Sequence, residues 1–140
     1  MFHQSPVGAS KDTYSYAFLD EVFSVDELKN ITNYCKQKPT IDGSVITASN
    51  EVALNKNIRS STISWIDYEE TNAWFYTKIA NLIQDLNSSF YGFDLLGFER
   101  LQFTEYNAKT KDKYDWHSDM FWGENPHILT RKLSATLLLN

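Results

Sequence analysis

Two side chains of this 140-residue sequence have types and spacing suited to metal chemistry: His117 and Asp119, in the run Tyr114-Asp115-Trp116-His117-Ser118-Asp119. On an extended strand side chains alternate with period two, so residues i and i+2 point to the same side. Their Cβ atoms would lie roughly 6–7 Å apart, from a rise of ~3.3 Å per residue. From there an imidazole nitrogen and a carboxylate oxygen can converge on one ion. The pair makes up two of the three ligands of the 2-His-1-carboxylate arrangement, which holds non-haem Fe(II) and leaves positions open. Those positions would accept a bidentate 2-oxo acid and dioxygen. The plain alternative is an exposed loop histidine beside a solvated carboxylate.

Other candidates are weaker. His127, in Gly123-Glu124-Asn125-Pro126-His127, follows Asp119 by eight residues and reads as a loop or lid residue before a ligand. His3 lies in an N-terminal stretch mixing Ser, Pro, Gly and charge, expected as a flexible lead-in over residues 1–13. Trp116, Met120, Phe121 and Trp122 flank the His-x-Asp tripeptide and either line a pocket mouth or pack as ordinary core or rim. Cys35 is the single cysteine, which excludes an intramolecular disulfide and a thiolate metal cluster, and it reads as an inert, partly buried thiol.

The elements that must position these residues follow from periodicity. Tyr14 to Leu19 alternates like a strand. Ser24 followed by Glu27 forms a capping-box pattern, and Val25, Leu28, Ile31 and Cys35 recur at helical spacing until Pro39 ends the run. Residues 40 to 57 read as loop or irregular strand, and Arg59 to Ile66 as a strand. A second helix is predicted after Asp67, a plausible cap, with Phe75, Ile79, Leu82, Ile83 and Leu86 on one face and Gly92 beyond its end. A strand running from Phe98 to about Tyr106, a polar turn at Lys109 to Lys113, and a Leu- and Thr-rich strand from Leu133 to Leu139 complete the reading. Helices come first and strands accumulate late, which is α+β order with two N-terminal helices buttressing a sheet.

Composition narrows the partners. A net charge of −5, with 13 Lys plus Arg against 18 Asp plus Glu and no basic stripe, argues against nucleic acid, whose binding rests on neutralised phosphates. No apolar run approaches the ~20 residues of a membrane span. The N-terminus lacks a signal-peptide layout, so the cytoplasm is the default location.

The stretch from Tyr106 to Asp119 resembles the prolyl-4-hydroxylase-like branch of the Fe(II)/2-oxoglutarate-dependent oxygenases. The family pattern is Tyr, a polar turn, Tyr, two residues, then His-x-Asp, and Tyr106, Tyr114, His117 and Asp119 stand in that order. The family's turn usually carries a Gly and is shorter; Ala108-Lys109-Thr110-Lys111-Asp112 stands here. Arg131-Lys132-Leu133-Ser134 with the leucines after it is similar to the family strand following the metal motif, and Arg59-Ser60-Ser61 with Trp65-Ile66 fits the family's N-terminal order. The resemblance spans residues 14 to 140 and implies one domain there. It implies Fe(II) held by His117 and Asp119, with 2-oxoglutarate as co-substrate and O2 as oxidant. The Tyr106 hydroxyl would contact the 2-oxoglutarate, with Tyr114, Ser134 and Arg131 as further co-substrate contacts.

The implied fold is a partial double-stranded β-helix, jelly-roll or cupin-like. The full form needs about eight strands, of which four or five are countable here. The family's second metal histidine, and the Lys or Arg that pairs the distal carboxylate of 2-oxoglutarate, come beyond the Leu133–Leu139 strand. Neither occurs before Asn140, so the domain is expected to be truncated at its C-terminus. The implied activity is hydroxylation of a peptide residue or a small molecule, with specificity set by loops. The alternatives are a non-catalytic scaffold or binding module, or a half-site completed by another chain or by self-association, which would also cover an open sheet edge.

Overall fold

The computed structural model describes residues 2–4, 16–46, 52–117, 119 and 131–139. Their elements, in chain order, are β1 (Phe2–Gln4), β2 (Ala17–Leu19), α1 (Val25–Cys35), β3 (Ile41–Asp42), β4 (Val45–Ile46), β5 (Val52–Ala53), β6 (Arg59–Ser60), β7 (Thr62–Ile66), α2 (Ala73–Leu86), β8 (Leu101–Glu105) and β9 (Lys113–Tyr114). Helices and antiparallel sheets together make the protein α+β, as expected. Among the described residues no helix is long and apolar enough to cross a membrane.

The chain divides into two compact units: residues 1–32, 68–99 and 135–140, and residues 33–67 and 100–134. In the first, β1 pairs antiparallel with β2, Phe2 opposite Leu19, so part of the stretch expected as a lead-in is strand. The capping box at the start of α1 forms as read. Glu27 N donates to Ser24 Oγ (3.2 Å) and Ser24 N donates back to Glu27 Oε2 (2.7 Å), filling two donors that a helix end leaves open. Lys78 reaches the same carboxylate at 2.7 Å and lies over the Phe23 ring. The hydrogen bond from Lys78, helped by that from Ser24, holds the Glu27 carboxyl below its ordinary pKa.

α2 carries the predicted apolar face, with Phe75 buried, Ile79, Leu82, Ile83 and Leu86 half-buried, and Thr77, Asn81, Gln84 and Asp85 exposed. Its start differs from expectation. A 3-10 turn over Glu70–Asn72 precedes it, Glu69 N donating to Asn72 Oδ1 (2.9 Å), while Asp67 pairs with Arg100 at 3.5 Å instead of capping. The carboxylate is drawn to a cation across from it, and the 3-10 turn is closed instead by a capping box between Glu69 and Asn72. The helix runs on into a π turn, Asn87–Tyr91, and stops at Gly92, whose φ of 70° is left-handed and easy only for glycine.

In the second unit β3, β7 and β8 form an antiparallel sheet in the order β3-β7-β8, Ile63 opposite Thr104 and Ile66 opposite Leu101. Ile63, Ser64 and Ile66 are all buried, so both faces of β7 are covered. Ser64 Oγ has no hydrogen-bond partner among the described residues. The predicted Arg59–Ile66 strand is real but broken at Ser61 into β6 and β7, and the strand expected from Phe98 begins only at Leu101. The expected strand at Leu133 to Leu139 makes no ladder with any described strand. A leucine-rich run becomes sheet only where another backbone hydrogen-bonds to it in register. Cys35 is buried, and burial pushes its thiol up to about 11, consistent with the inert reading.

Candidate functional site

β6 and β7 lie against one partner chain segment interrupted by a turn. Thr62 faces Glu105 at the end of β8, Ser60 faces Lys113 at the start of β9, and residues 106–112 loop out between them opposite Ser61. Their polar side chains close the loop: Asn107 N donates to Asp112 Oδ2 (3.0 Å), Asp112 N donates to Asn107 O (3.1 Å), and Lys111 takes a left-handed φ of 56°. The hydrogen bond from Asn107, then that from Thr110, lowers the Asp112 pKa, so the anion is the form that holds the turn.

This loop returns the chain in register with β6, and the register puts Tyr114 opposite Arg59. Paired residues of an antiparallel ladder project to one side. Accordingly the Arg59 guanidinium carbon lies 4.5 Å from the Tyr114 ring centroid. Arg59 is only 7% exposed, and among the described residues its contacts are with neutral groups: Nε donates to Ser61 Oγ (3.0 Å) and Nη1 donates to Ser44 O (3.1 Å). Space for it exists because residue 43 is glycine. A Cβ there would sit 2.5 Å from Ser61 Oγ and 2.6 Å from Arg59 Nε. The backbone at Gly43 is not left-handed, so the constraint is steric. Gly43→Ala is expected to cost about 1–3 kcal/mol by overpacking. Urea denaturation measures it, and an unchanged midpoint would mean that Arg59 can move aside freely.

Beyond Tyr114 the ladder ends. Asp115 N still donates to Ile58 O (2.9 Å), a bend follows at Trp116, and His117 folds back so that its ring stacks on Tyr114 at 3.6 Å between centroids and 15° between planes. His117 and Asp119 therefore lie on an irregular segment and not on the extended strand expected for them. They converge all the same, with Nε2 of His117 3.4 Å from Oδ1 of Asp119. The local hydrogen bond between His117 Nδ1 and Asp115 O, 2.8 Å, favours the bend over a continued ladder.

The other atoms of both side chains are occupied. Asp115 O is a carbonyl and can only accept, so His117 Nδ1 carries a proton, and Nε2 is the ring nitrogen turned toward Asp119. Ser134 Oγ donates to Asp119 Oδ2, and Arg131 Nη1 donates to the Asp119 main-chain oxygen at 3.4 Å. Tyr114, Asp115, Trp116, His117 and Asp119 line an open pocket of about 450 Å³.

Five of the six residues singled out from the sequence, Tyr114, His117, Asp119, Arg131 and Ser134, are thus joined by direct contacts. Tyr106 is not: it is 51% exposed at the start of the 106–112 loop and does not line the pocket. Trp116 lines it but is fully exposed. His127, Met120, Phe121 and Trp122 lie outside the described residues, as does the side chain of His3. Sequence reading gave Arg59 no role at the site and passed over Gly43 and the Asp115 carbonyl. Only an arginine opening an otherwise uncharged, β-rich run could have pointed to a buried cation.

Among the described residues no group of three or more His, Cys, Asp or Glu side chains is placed to hold a metal ion. The donor chemistry of the pair itself does suit one. Metal bonds of about 2.0–2.2 Å place two adjacent ligand atoms roughly 3 Å apart, near the observed 3.4 Å. No family model, curated protein or solved structure matches this chain.

Proposed function

We propose that this chain carries the His-x-Asp part of the metal centre of an Fe(II)/2-oxoglutarate-dependent dioxygenase, a hydroxylase of the prolyl-4-hydroxylase-like type, on a partial double-stranded β-helix. One observation carries the reading: Nε2 of His117, the ring nitrogen that the Asp115 carbonyl does not engage, faces Oδ1 of Asp119 at 3.4 Å. A metal ion would be shared by both atoms, whereas a proton on Nε2 would make the contact an imidazolium–carboxylate pair. The separation exceeds the 2.7–3.2 Å of an ordinary N–H···O bond, which favours a metal ion over a shared proton.

When bound, Fe(II) with 2-oxoglutarate and O2 would supply the oxidising chemistry, decarboxylation to succinate and CO2 coupled to hydroxylation of a substrate C–H bond. The protein's part is ligation and orientation. His117 and Asp119 hold the ion, the Asp115 carbonyl fixes the imidazole tautomer, and Ser134 fixes the carboxylate rotamer, the outer-shell roles such ligands require. Arg131 ties the 131–134 segment to the ligand loop through the Asp119 carbonyl. The hydroxyls of Tyr106 and Tyr114 are the co-substrate contacts that the resemblance implies.

The test is succinate formation from 2-oxoglutarate, measured for the wild-type chain and His117→Ala. Turnover in the wild type that disappears in the variant supports the proposal. Equal turnover in the two dismisses the site.

A further inference from the structure

We infer that Tyr114 is a positioning residue for His117, acting through the face of its ring and held in turn by the buried guanidinium of Arg59. The inference rests on the reading of His117 as a metal ligand and adds to it the device that aims the ligand. An imidazole fixed by one hydrogen bond can still swing about that bond. His117 has such a bond, from Nδ1 to Asp115 O at 2.8 Å. The second constraint is the Tyr114 ring, nearly parallel to the imidazole with centroids 3.6 Å apart. A stack that close leaves no room on the same face for the guanidinium 4.5 Å from the Tyr114 centroid, so Arg59 takes the other face.

The three side chains then form one column, Arg59-Tyr114-His117. Its base is rigid: Arg59 is buried, doubly hydrogen-bonded, and boxed in by Gly43 and Ser61. Its middle is fixed by the ladder that sets Tyr114 opposite Arg59. Its top is the ring whose Nε2 faces Asp119. Loops make poor platforms for ligands, because side chains there are not locked by packing. The column transfers the rigidity of β6 and β9 to a histidine that sits just past the end of the strand.

The experiment is a titration of the full chain with Co(II) alone, followed by visible absorbance, for wild type, Tyr114→Leu, Tyr114→Phe and His117→Ala. Circular dichroism verifies the fold of each, and the ring protons of His117 are followed by NMR in the metal-free proteins. Tyr114→Leu is expected to weaken Co(II) binding by about 10–100-fold, the usual cost of losing an outer-shell support. Tyr114→Phe keeps the stack and is expected to retain the wild-type affinity. The His117 ring protons should be shifted upfield by the tyrosine in wild type and Tyr114→Phe, and return downfield in Tyr114→Leu.

Equal weakening in Phe and Leu would overturn the inference, since the hydroxyl and not the ring face would be responsible. Unchanged affinity in Tyr114→Leu, with binding lost in His117→Ala, would also overturn it while leaving the metal site standing. Unchanged affinity in His117→Ala would remove the ligand itself, and both readings would fall.

Discussion

Replacing Asp119 with alanine is expected to weaken Co(II) or Fe(II) binding by more than about 100-fold, beyond the 10–100-fold typical of outer-shell changes. The carboxylate is the anion that faces the imidazole, and it directs Oδ1 at His117 Nε2 from 3.4 Å. Without it a single imidazole nitrogen is left, and one nitrogen donor does not hold Fe(II) against water. Asp119→Asn keeps an oxygen in place but removes the charge, so it should fall between. Ser134→Ala, which frees Oδ2 and lets the carboxylate turn, should show the smallest loss of the three. Both His117 and Asp119 are partly exposed, and substitutions there should leave stability within about 0.5 kcal/mol of wild type. Loss of binding in a folded protein can therefore be assigned to the site. Isothermal titration is the measurement, and retained affinity in Asp119→Ala would mean that the ion binds elsewhere. A desalting step adds a second reading. Because the described residues supply two donors, Fe(II) that washes out of the isolated chain favours a half-site completed by another chain over a self-sufficient centre.

Phe75→Ala is expected to be the most damaging single core substitution, at about 3–5 kcal/mol, the range for removing a buried aromatic ring. The ring is 2% exposed at the start of α2, packed edge-on against Trp74 and tilted against Tyr76. Deleting it removes apolar burial where the helix meets its 3-10 lead-in and the buried Asn72, and a fully enclosed site has little freedom to collapse into the space. Ile79, half-buried one turn on, should cost distinctly less. Denaturant midpoints at constant slope would measure both. A loss below about 1 kcal/mol for Phe75→Ala would mean that the predicted apolar stripe is not what anchors the helix.

Much of the scaffold was legible in the residues because its causes are local. Ser24 and Glu27 can reach each other's backbone only if a helix begins between them, and they do. The Phe75 stripe repeats with helical period, and only a glycine comfortably takes the left-handed turn that follows. The alternation from Leu101 to Glu105 needed only a partner, which β7 provides. Where the reading missed, a distant group had intervened. Asp67 had the chemistry of a cap but met Arg100. The Arg59–Ile66 strand was read as unbroken because no local signal at Ser61 announces the loop that leaves its partner strand opposite that residue.

The site divides in the same way. The sequence by itself determined that His117 and Asp119 lie close together, because two residues separated by one neighbour can hardly do otherwise, and that Ser134 and Tyr114 belong near them only by resemblance. Tertiary structure decided the orientation. A bend replaced the strand, the Asp115 carbonyl chose the tautomer, Ser134 chose which carboxylate oxygen is free, and a buried arginine fifty-eight residues before His117 came to lie beneath the tyrosine that supports it. Proximity along the chain is written in spacing. Direction is set by contacts between residues far apart in sequence, which no local pattern encodes.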